Sequence, residues 1–226
     1  MKLIYACVVT LVAVTATPTA LAETVTVTLQ GVVEDNQIGT GDLGGADVDD
    51  PVTLTFRVDS DGFTNSASFP TRGYDIDMPS FAMALGGAVV NLQSPFPAGQ
   101  TPYFTLRDND PAVDGFFVAT SVDFPIGVPL DEVGSLGNFI GNFSVAYRGT
   151  TISSLDILDA VGSYDFTGLS VFNWTVDDGP FNPMLITFQS MTITRGSAPV
   201  PTLPEWGLIA LTVLMGAAGA RALSRN

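Results

Sequence analysis

The chain has 226 residues, a formal net charge of −15, no histidine and a single cysteine. The lack of histidine excludes Ser-His-Asp and Cys-His nucleophilic machinery and histidine-based transition-metal sites. A chain this acidic repels nucleic acid, so no nucleic-acid partner is expected. Because these catalytic residue types are missing, we expect a protein that is not an enzyme.

The first 22 residues have the pattern of an export signal. Lys2 precedes an apolar stretch at 3–17, and Ala20-Leu21-Ala22 provides the small residues of a cleavage site. We expect passage through the export translocon and cleavage after Ala22 by signal peptidase. Cys7 lies within this segment, so the mature chain is expected to have no thiol for a disulfide, a nucleophile or a metal.

Residues 23–199 form the expected body, in which polar and apolar residues alternate with a period of two. Val25, Val27 and Leu29 share one face of the first such segment, with threonines on the other. Period-two alternation with Thr, Val and Phe enrichment is typical of half-buried strands. Strands are predicted at 24–30, 52–58, 81–85, 88–92, 102–107, 115–122, 139–147, 168–176 and 184–194.

Clusters of Gly, Pro, Asp and Asn separate these strands and predict turns and loops. They occupy 34–50, 59–74, 94–101, 107–114, 123–138 and 177–183. Gly86-Gly87 predicts a two-residue hairpin turn, and 151–161 predicts one short helix or an irregular strand. Eight or nine short strands with turns between them predict an all-β fold, a single β-sandwich or jelly-roll-like domain.

The body carries five arginines, no lysine and 22 acidic residues, a net charge of −17. Its best candidate for a cation site is the acidic cluster Asp108, Asp110 and Asp114. Two interpretations stay open here: an Asp-rich turn between strands, and a calcium site, because Ca²⁺ binds six to eight oxygen ligands. The cluster departs from an EF-hand loop, since Ala112 and Val113 hold its fifth and sixth positions. No other cofactor is expected.

Two further acidic clusters, at 47–50 and 59–61, are expected to be loops or turns. Tyr74, Tyr103 and Phe96 flank predicted loops, and a sugar-binding platform is one interpretation of them. Trp174, with Phe172 on the same face of its predicted strand, is interpreted as core packing. A glycoside hydrolase needs two carboxylates facing each other across a cleft. With so many acids no pair is distinctive, so a hydrolase is the least favoured function.

The C-terminal segment begins with Val200-Pro-Thr-Leu-Pro-Glu-Trp-Gly207, continues without charge through 208–220, and carries Arg221 and Arg225 after it. The 18 residues from Trp206 to Leu223 are close to the minimum, about 17, for a helix that crosses a bilayer. An interfacial Trp at one end and arginines at the other are typical of such a span. A transmembrane helix is therefore predicted at about 206–223, with the body outside the cytoplasmic membrane.

This order of motif, span and basic end resembles the IPTLxxWG-type (IPTL-CTERM) sorting domain, a sister of the PEP-CTERM tags of Gram-negative bacteria. Val200 replaces the usual Ile, and the matching residues are Pro201, Thr202, Leu203, Trp206 and Gly207. The resemblance implies that residues 200–226 are a sorting signal with its motif at 200–207. It also implies recognition and cleavage by an exosortase-like membrane transpeptidase.

The sequence thus predicts a signal peptide at 1–22, an extracytoplasmic all-β domain at 23–199 and the sorting signal. We expect transient anchorage in the inner membrane by the C-terminal helix, followed by transfer to the cell surface or extracellular matrix. The expected role is structural or adhesive. The alternative is a calcium-dependent carbohydrate-binding module, for which an extracellular polysaccharide is the partner.

Overall fold

The structure is a computed structural model that describes residues 22–109, 113–148, 150–167, 169, 175–179 and 181–196. The regular structure of these residues comprises twelve strands and two 3₁₀ turns, at Leu43–Gly45 and Met78–Ser80. The strands are β1 (Thr24–Asn36), β2 (Pro51–Asn65), β3 (Thr71–Ile76), β4 (Ala82–Leu85), β5 (Ala88–Val90), β6 (Tyr103–Arg107), β7 (Val113–Ala119), β8 (Val128–Gly134), β9 (Gly137–Arg148), β10 (Gly162–Asp165), β11 (Thr175–Asp178) and β12 (Phe181–Arg195).

All twelve strands belong to one antiparallel sheet that closes on itself. β1 pairs along one edge with β12, from Val25 opposite Arg195 to Asn36 opposite Met184. Its other edge pairs with β2, where Thr24 lies opposite Asp59. From β12 the sheet continues through β11, β9, β7, β6 and β3 back to β2, while β4 and β5 extend from β2. The circuit leaves both edges of β1 hydrogen-bonded.

The all-β prediction is confirmed, and the strands form one continuous sheet in place of the two separate sheets of a sandwich. The reason is the length of β2 and β12. β2 pairs with β1 through its first half and, after a register shift between Val58 and Phe63, with β3 through its second. β12 likewise pairs with β1, β10 and β11.

The strand predictions are confirmed where alternation is regular, except that most of the strand predicted at 168–176 lies outside the described residues. β3, β8 and β10 are not among the predicted strands. β3 and β8 lie in segments 59–74 and 123–138 that the sequence assigned to loops. β8 contains Pro129, which lies opposite Ile140 of β9, and the other edge of β8 makes one isolated bridge, between Leu130 and Leu92. The predicted turn at Gly86-Gly87 is confirmed, with positive φ of 54° and 82° that glycine adopts without strain.

The prediction of a short helix or irregular strand at 151–161 is wrong. The segment is a loop of bends and turns. Its apolar residues Ile152, Ile157 and Ala160 are nevertheless buried in the core. The spacing of the apolar residues predicted a helix, but in the structure these residues pack a loop against the sheet.

Aromatic rings link distant strands across the interior. The Phe104 ring of β6 lies 5.4 Å from Phe56 of β2 and 5.7 Å from Phe116 of β7. Phe116 in turn meets Tyr164 of β10 edge-on at 4.8 Å. These rings are large apolar groups in favourable offset or edge-to-face arrangements, so they dominate the packing of the core. The predicted transmembrane helix at 206–223 lies outside the described residues.

We predict that Gly31→Ala destabilises the protein by about 1–3 kcal/mol, because overpacking forces the backbone to shift. A Cβ at Gly31 would lie 2.7 Å from the Phe188 Cα and closer still to the Thr187 carbonyl oxygen, both in the paired strand β12. The free energy of unfolding from urea denaturation measures the effect.

Gly45→Ala is the matched control, since a Cβ there would meet nothing within 4 Å. If both variants unfolded at the same urea concentration as the parent, the close approach of β1 and β12 at Gly31 would be contradicted.

Candidate functional site

The acidic cluster predicted to bind calcium lies at the turn between β6 and β7, and its best-defined member is structural. Asp114 is fully buried. Its Oδ1 accepts a hydrogen bond from the Asn109 backbone N–H at 2.9 Å. Its Oδ2 accepts from the Ile152 backbone N–H at 2.8 Å and also from that of Thr151. Three backbone donors therefore satisfy the carboxylate. Two of them, from Thr151 and Ile152, fasten the loop at 151–161 to β7.

Tyr74 fastens the same loop from β3. The tyrosine is fully buried, and its hydroxyl accepts from the Ile157 N–H at 2.9 Å and donates to the Leu155 carbonyl oxygen at 2.7 Å. Tyr74 therefore has no surface to offer a sugar, and its interpretation as part of a sugar platform is wrong. Its hydroxyl instead satisfies buried backbone groups, as a loop in the core requires.

The calcium prediction stays a prediction. Asp110 lies outside the described residues, and the Asp108 Oδ1 accepts from the Asn109 side-chain amide at 2.6 Å. Within the described ranges, no three acidic or other metal-ligating side chains lie close enough together to hold a metal ion. Both carboxylate oxygens of Asp114 accept hydrogen bonds from backbone N–H groups, so a cation bound there would have to displace these hydrogen bonds.

The other acidic clusters stabilise local backbone. The Asp47 N–H donates to the Asp50 carboxylate at 2.9 Å, within a turn where Asp49 has a positive φ of 71°. The Asp61 N–H donates to the Asp59 carboxylate, also at 2.9 Å. The first cluster is the predicted loop. The second lies within β2, at its register shift, and not between two strands.

The larger of two concave surfaces is a cleft of about 660 Å³ lined by residues 78–79, 91–96 and Asp131. Met78, Pro79 and Phe96 give it apolar walls, and Phe96 packs against the core. Asp131 is held in place because its two carboxylate oxygens accept from the Asn91 backbone and side-chain N–H groups at 2.9 and 3.0 Å. Apolar walls with a few fixed polar groups suit a small neutral ligand.

Phe96 was named from the sequence as part of a sugar-binding platform, whereas the other residues that line this cleft were not. Its walls come from three separated segments, joined where Leu92 bridges Leu130 and the Gln93 N–H donates to the Pro129 carbonyl oxygen at 3.0 Å. No local motif marks such a junction. The second concavity, about 550 Å³, is more open and lies beside Asp47, Asp50 and the hairpin turn at Gly86-Gly87. Trp174 and Phe172 lie outside the described residues.

Several titratable groups have shifted pKa values. Burial raises the pKa of the Asp75 carboxyl. Burial, and then the charge of the adjacent Asp178, raise the pKa of Asp177. Hydrogen bonds from the Thr167 hydroxyl and N–H lower the pKa of Asp165. Neither Asp75 nor Asp177 is among the residues that line the two concave surfaces just described.

We predict that Asp114→Ala costs about 3 kcal/mol of stability, because it leaves three backbone N–H groups, among them the buried N–H of Ile152, without an acceptor. The loss is expected to be the same with and without calcium, since the carboxylate serves the backbone. Thermal unfolding in calcium-containing and chelator-containing buffer measures it. Asp108→Ala is the control, and equal melting temperatures for the two variants would refute the anchoring role of Asp114.

Comparison with known proteins identifies the C-terminal segment. The family model of the IPTL-CTERM motif matches residues 198–225. The predicted sorting residues Val200, Pro201, Thr202, Leu203, Trp206 and Gly207 all fall within this match and outside the described residues. No curated protein and no solved structure matches the chain.

No helix in the described part of the chain is both long enough and apolar enough to span a bilayer. The matched motif is a C-terminal sorting domain. Its presence indicates export and sorting to the surface. The chain therefore carries an IPTL-CTERM sorting motif attached to an acidic, all-β body.

Proposed function

We propose that this protein is exported, held briefly in the inner membrane, and transferred by an exosortase-like transpeptidase to the cell surface or extracellular matrix. There its β domain is a non-catalytic structural or adhesive component. The motif match at 198–225 is the observation that carries this proposal. Pro201 and Pro204 favour an extended backbone that a processing enzyme can bind.

The geometry at the two ends of the β domain supports this route. Val25 lies opposite Arg195 at the start of β1, and the Gly196 N–H donates to the Thr24 carbonyl oxygen at 2.6 Å. An ion pair of 3.3 Å joins Arg195 Nη1 to Glu23 Oε2. The folded domain thus begins next to the proposed signal-peptide cleavage site and ends just before the matched motif. Both processing steps act beside the same end of β1 and β12.

The residue types present support a non-catalytic role. The chain has no histidine, and its one cysteine lies in the proposed signal peptide. The carboxyl groups with raised pKa, Asp75 and Asp177, do not line the cleft where two facing carboxylates of a hydrolase would be needed. An acidic surface keeps a protein soluble, which suits a component exposed outside the cell.

We predict that Trp206→Ala blocks sorting. In a Gram-negative host with an exosortase-like enzyme, the variant should stay in the inner-membrane fraction with its C-terminal segment attached, and its surface-exposed share should fall about tenfold or more. The reason is loss of the interfacial aromatic and of a defining motif residue. Digestion of intact cells with external protease, together with intact mass, measures both effects.

Glu205→Gln is the matched control, because it changes the adjacent position, which is variable in the IPTLxxWG pattern. It should be sorted like the parent. If Trp206→Ala reached the surface as efficiently as Glu205→Gln, the motif would not direct sorting and the proposal would fail.

The second candidate function is a calcium-dependent carbohydrate-binding module, and the cleft beside Phe96 is the observation that favours it. One face of a sugar ring is apolar and suits an aromatic wall, while its hydroxyls suit the amide and carboxylate groups of Gln93 and Asp131. Calcium, if it acts, would be held at the turn that contains Asp108 and Asp110.

For this candidate, Phe96→Ala should weaken binding of the full chain to the extracellular polysaccharide of its host by about two- to tenfold, since one aromatic contact contributes about 0.5–1.5 kcal/mol. Isothermal titration measures the affinity. Phe124→Ala removes an exposed ring elsewhere and should leave the affinity unchanged. Millimolar Ca²⁺ should raise the melting temperature, and Asp108→Asn with Asp110→Asn should abolish the rise. Absence of any binding, or of the calcium effect, rejects the candidate.

A further inference from the structure

Three large apolar side chains are exposed on two hairpin tips that are neighbours, because Asp178 lies opposite Phe181 in one and accepts from the Leu136 N–H of the other. Val133 and Leu136 belong to the tip that joins β8 to β9, and each is 65% exposed. Phe181 follows the tip that joins β11 to β12 and is 71% exposed, the highest value among the large apolar residues of the described chain. Clustered exposure of this kind is characteristic of interaction surfaces, whereas single exposed apolar residues are ordinary.

Asp178 fastens the two tips to each other. Its Oδ2 accepts from the Ser135 N–H and from the Ser135 hydroxyl, both at 3.0 Å, and its Oδ1 accepts from the Leu136 N–H at 3.1 Å. The Leu136 side chain lies directly over Gly179, where a Cβ would collide with it. The backbones of the two tips are therefore fixed to each other, so a partner that binds both tips has less backbone entropy to remove.

The two hairpin tips lie far from the ends of the β domain at Glu23 and Arg195. β12 begins at Phe181 and ends at Arg195, beside Glu23. Its 15 residues span about 45 Å at 3.3 Å per residue. Processing is proposed above to occur next to Glu23 and Arg195. The tips therefore lie at the opposite end of the domain from the proposed processing sites.

The charged residues around the two tips are all acidic. The segments 34–50, 128–136 and 177–183 contain ten acidic residues and no basic one. They lie together, because the Gln37 N–H donates to the Pro183 carbonyl oxygen at 2.6 Å and a Cβ at Gly41 would collide with the Glu132 carboxylate. By contrast, Arg57 and Arg195 lie opposite Thr26 and Val25, at the other end of β1.

We propose that the two tips dock a protein partner whose surface presents apolar side chains bordered by lysine or arginine. This inference rests on the proposed adhesive function and names the partner's chemistry. Like charge disfavours a second copy of this chain and an anionic membrane at this acidic end. A basic partner is attracted over a distance, while Leu136 and Phe181 provide the short-range apolar contact that slows its release.

The test uses the full chain in non-ionic detergent and a designed three-helix bundle with a leucine face bordered by lysines. The same bundle with serine in place of leucine is the charge-only probe. Biolayer interferometry should show binding to the leucine-faced bundle with an association rate that falls as salt rises. Leu136→Ser with Phe181→Ser should raise the dissociation constant about tenfold or more.

Phe124→Ser is the matched control, since that ring is 55% exposed but lies against Phe69 of the β2–β3 hairpin. It should change the dissociation constant less than about twofold, within the error of small surface effects. Glu132→Gln with Asp42→Asn, which leaves the apolar tips intact, should slow association without faster release. This second pair keeps the test informative if the serine variant melts at a lower temperature.

Equal binding of the serine-faced bundle, an equal loss in Phe124→Ser, or an unchanged association rate in the charge variants would each overturn the proposal. So would preferential binding to phosphatidylcholine vesicles or concentration-dependent self-association in sedimentation, because the occupant would then be a lipid surface or a second copy. The assay needs no sorting, so it can fail while Trp206→Ala still blocks transfer to the surface, and the reverse holds as well.

Discussion

The pairing of β1 along both of its edges is the constraint on which the rest of the structure depends. From Val25 to Val32 the strand bonds to β12 on one side and to β2 on the other. This ladder joins residues as far apart as Thr26 and Thr194, 168 positions along the chain. It closes the circuit of strands, removes two exposed edges that would invite pairing with other chains, and encloses the aromatic core. Contacts of such sequence separation form slowly, and β1 can complete its pairing only after β12 has been synthesised.

The same ladder relates the body to its processing. β12 is held to β1 as far as Arg195, and the matched motif begins three positions later in the sequence, at residue 198. The other end of β12 carries the acidic tips with Leu136 and Phe181. One long strand therefore separates the end of the domain where we propose processing from the surface that we propose to bind a partner. The acidic residues likewise have two roles. Asp114 is buried and anchors a loop, whereas those in the segments around the tips give that end of the domain a negative charge.

Local signals in the sequence predicted what local physics determines. Alternation predicted β1 and much of β12, paired glycines predicted the turn at Gly86-Gly87, and the linear sorting motif was predicted from adjacent residues alone. β3 was missed because Gly73 and Asp75 are residue types that favour turns, although Gly73 is required where Val122 and Tyr103 pack against the strand. The partners of Asp114, 37 and 38 positions away, leave no trace in the sequence. The cleft beside Phe96 is equally non-local, so neither it nor the buried role of Asp114 was predictable from spacing.

Native-state hydrogen exchange of the full chain tests the closing ladder most directly. If β1 holds the circuit together, the amides from Val25 to Val32 open only with global unfolding, and their exchange free energy equals that of β12 and of the overall denaturant-induced transition. Exchange of these amides by local fraying, several kcal/mol below the global value, would contradict the account. In that case the first strand would be a loosely attached extension, and the sheet would be open where the structure closes it.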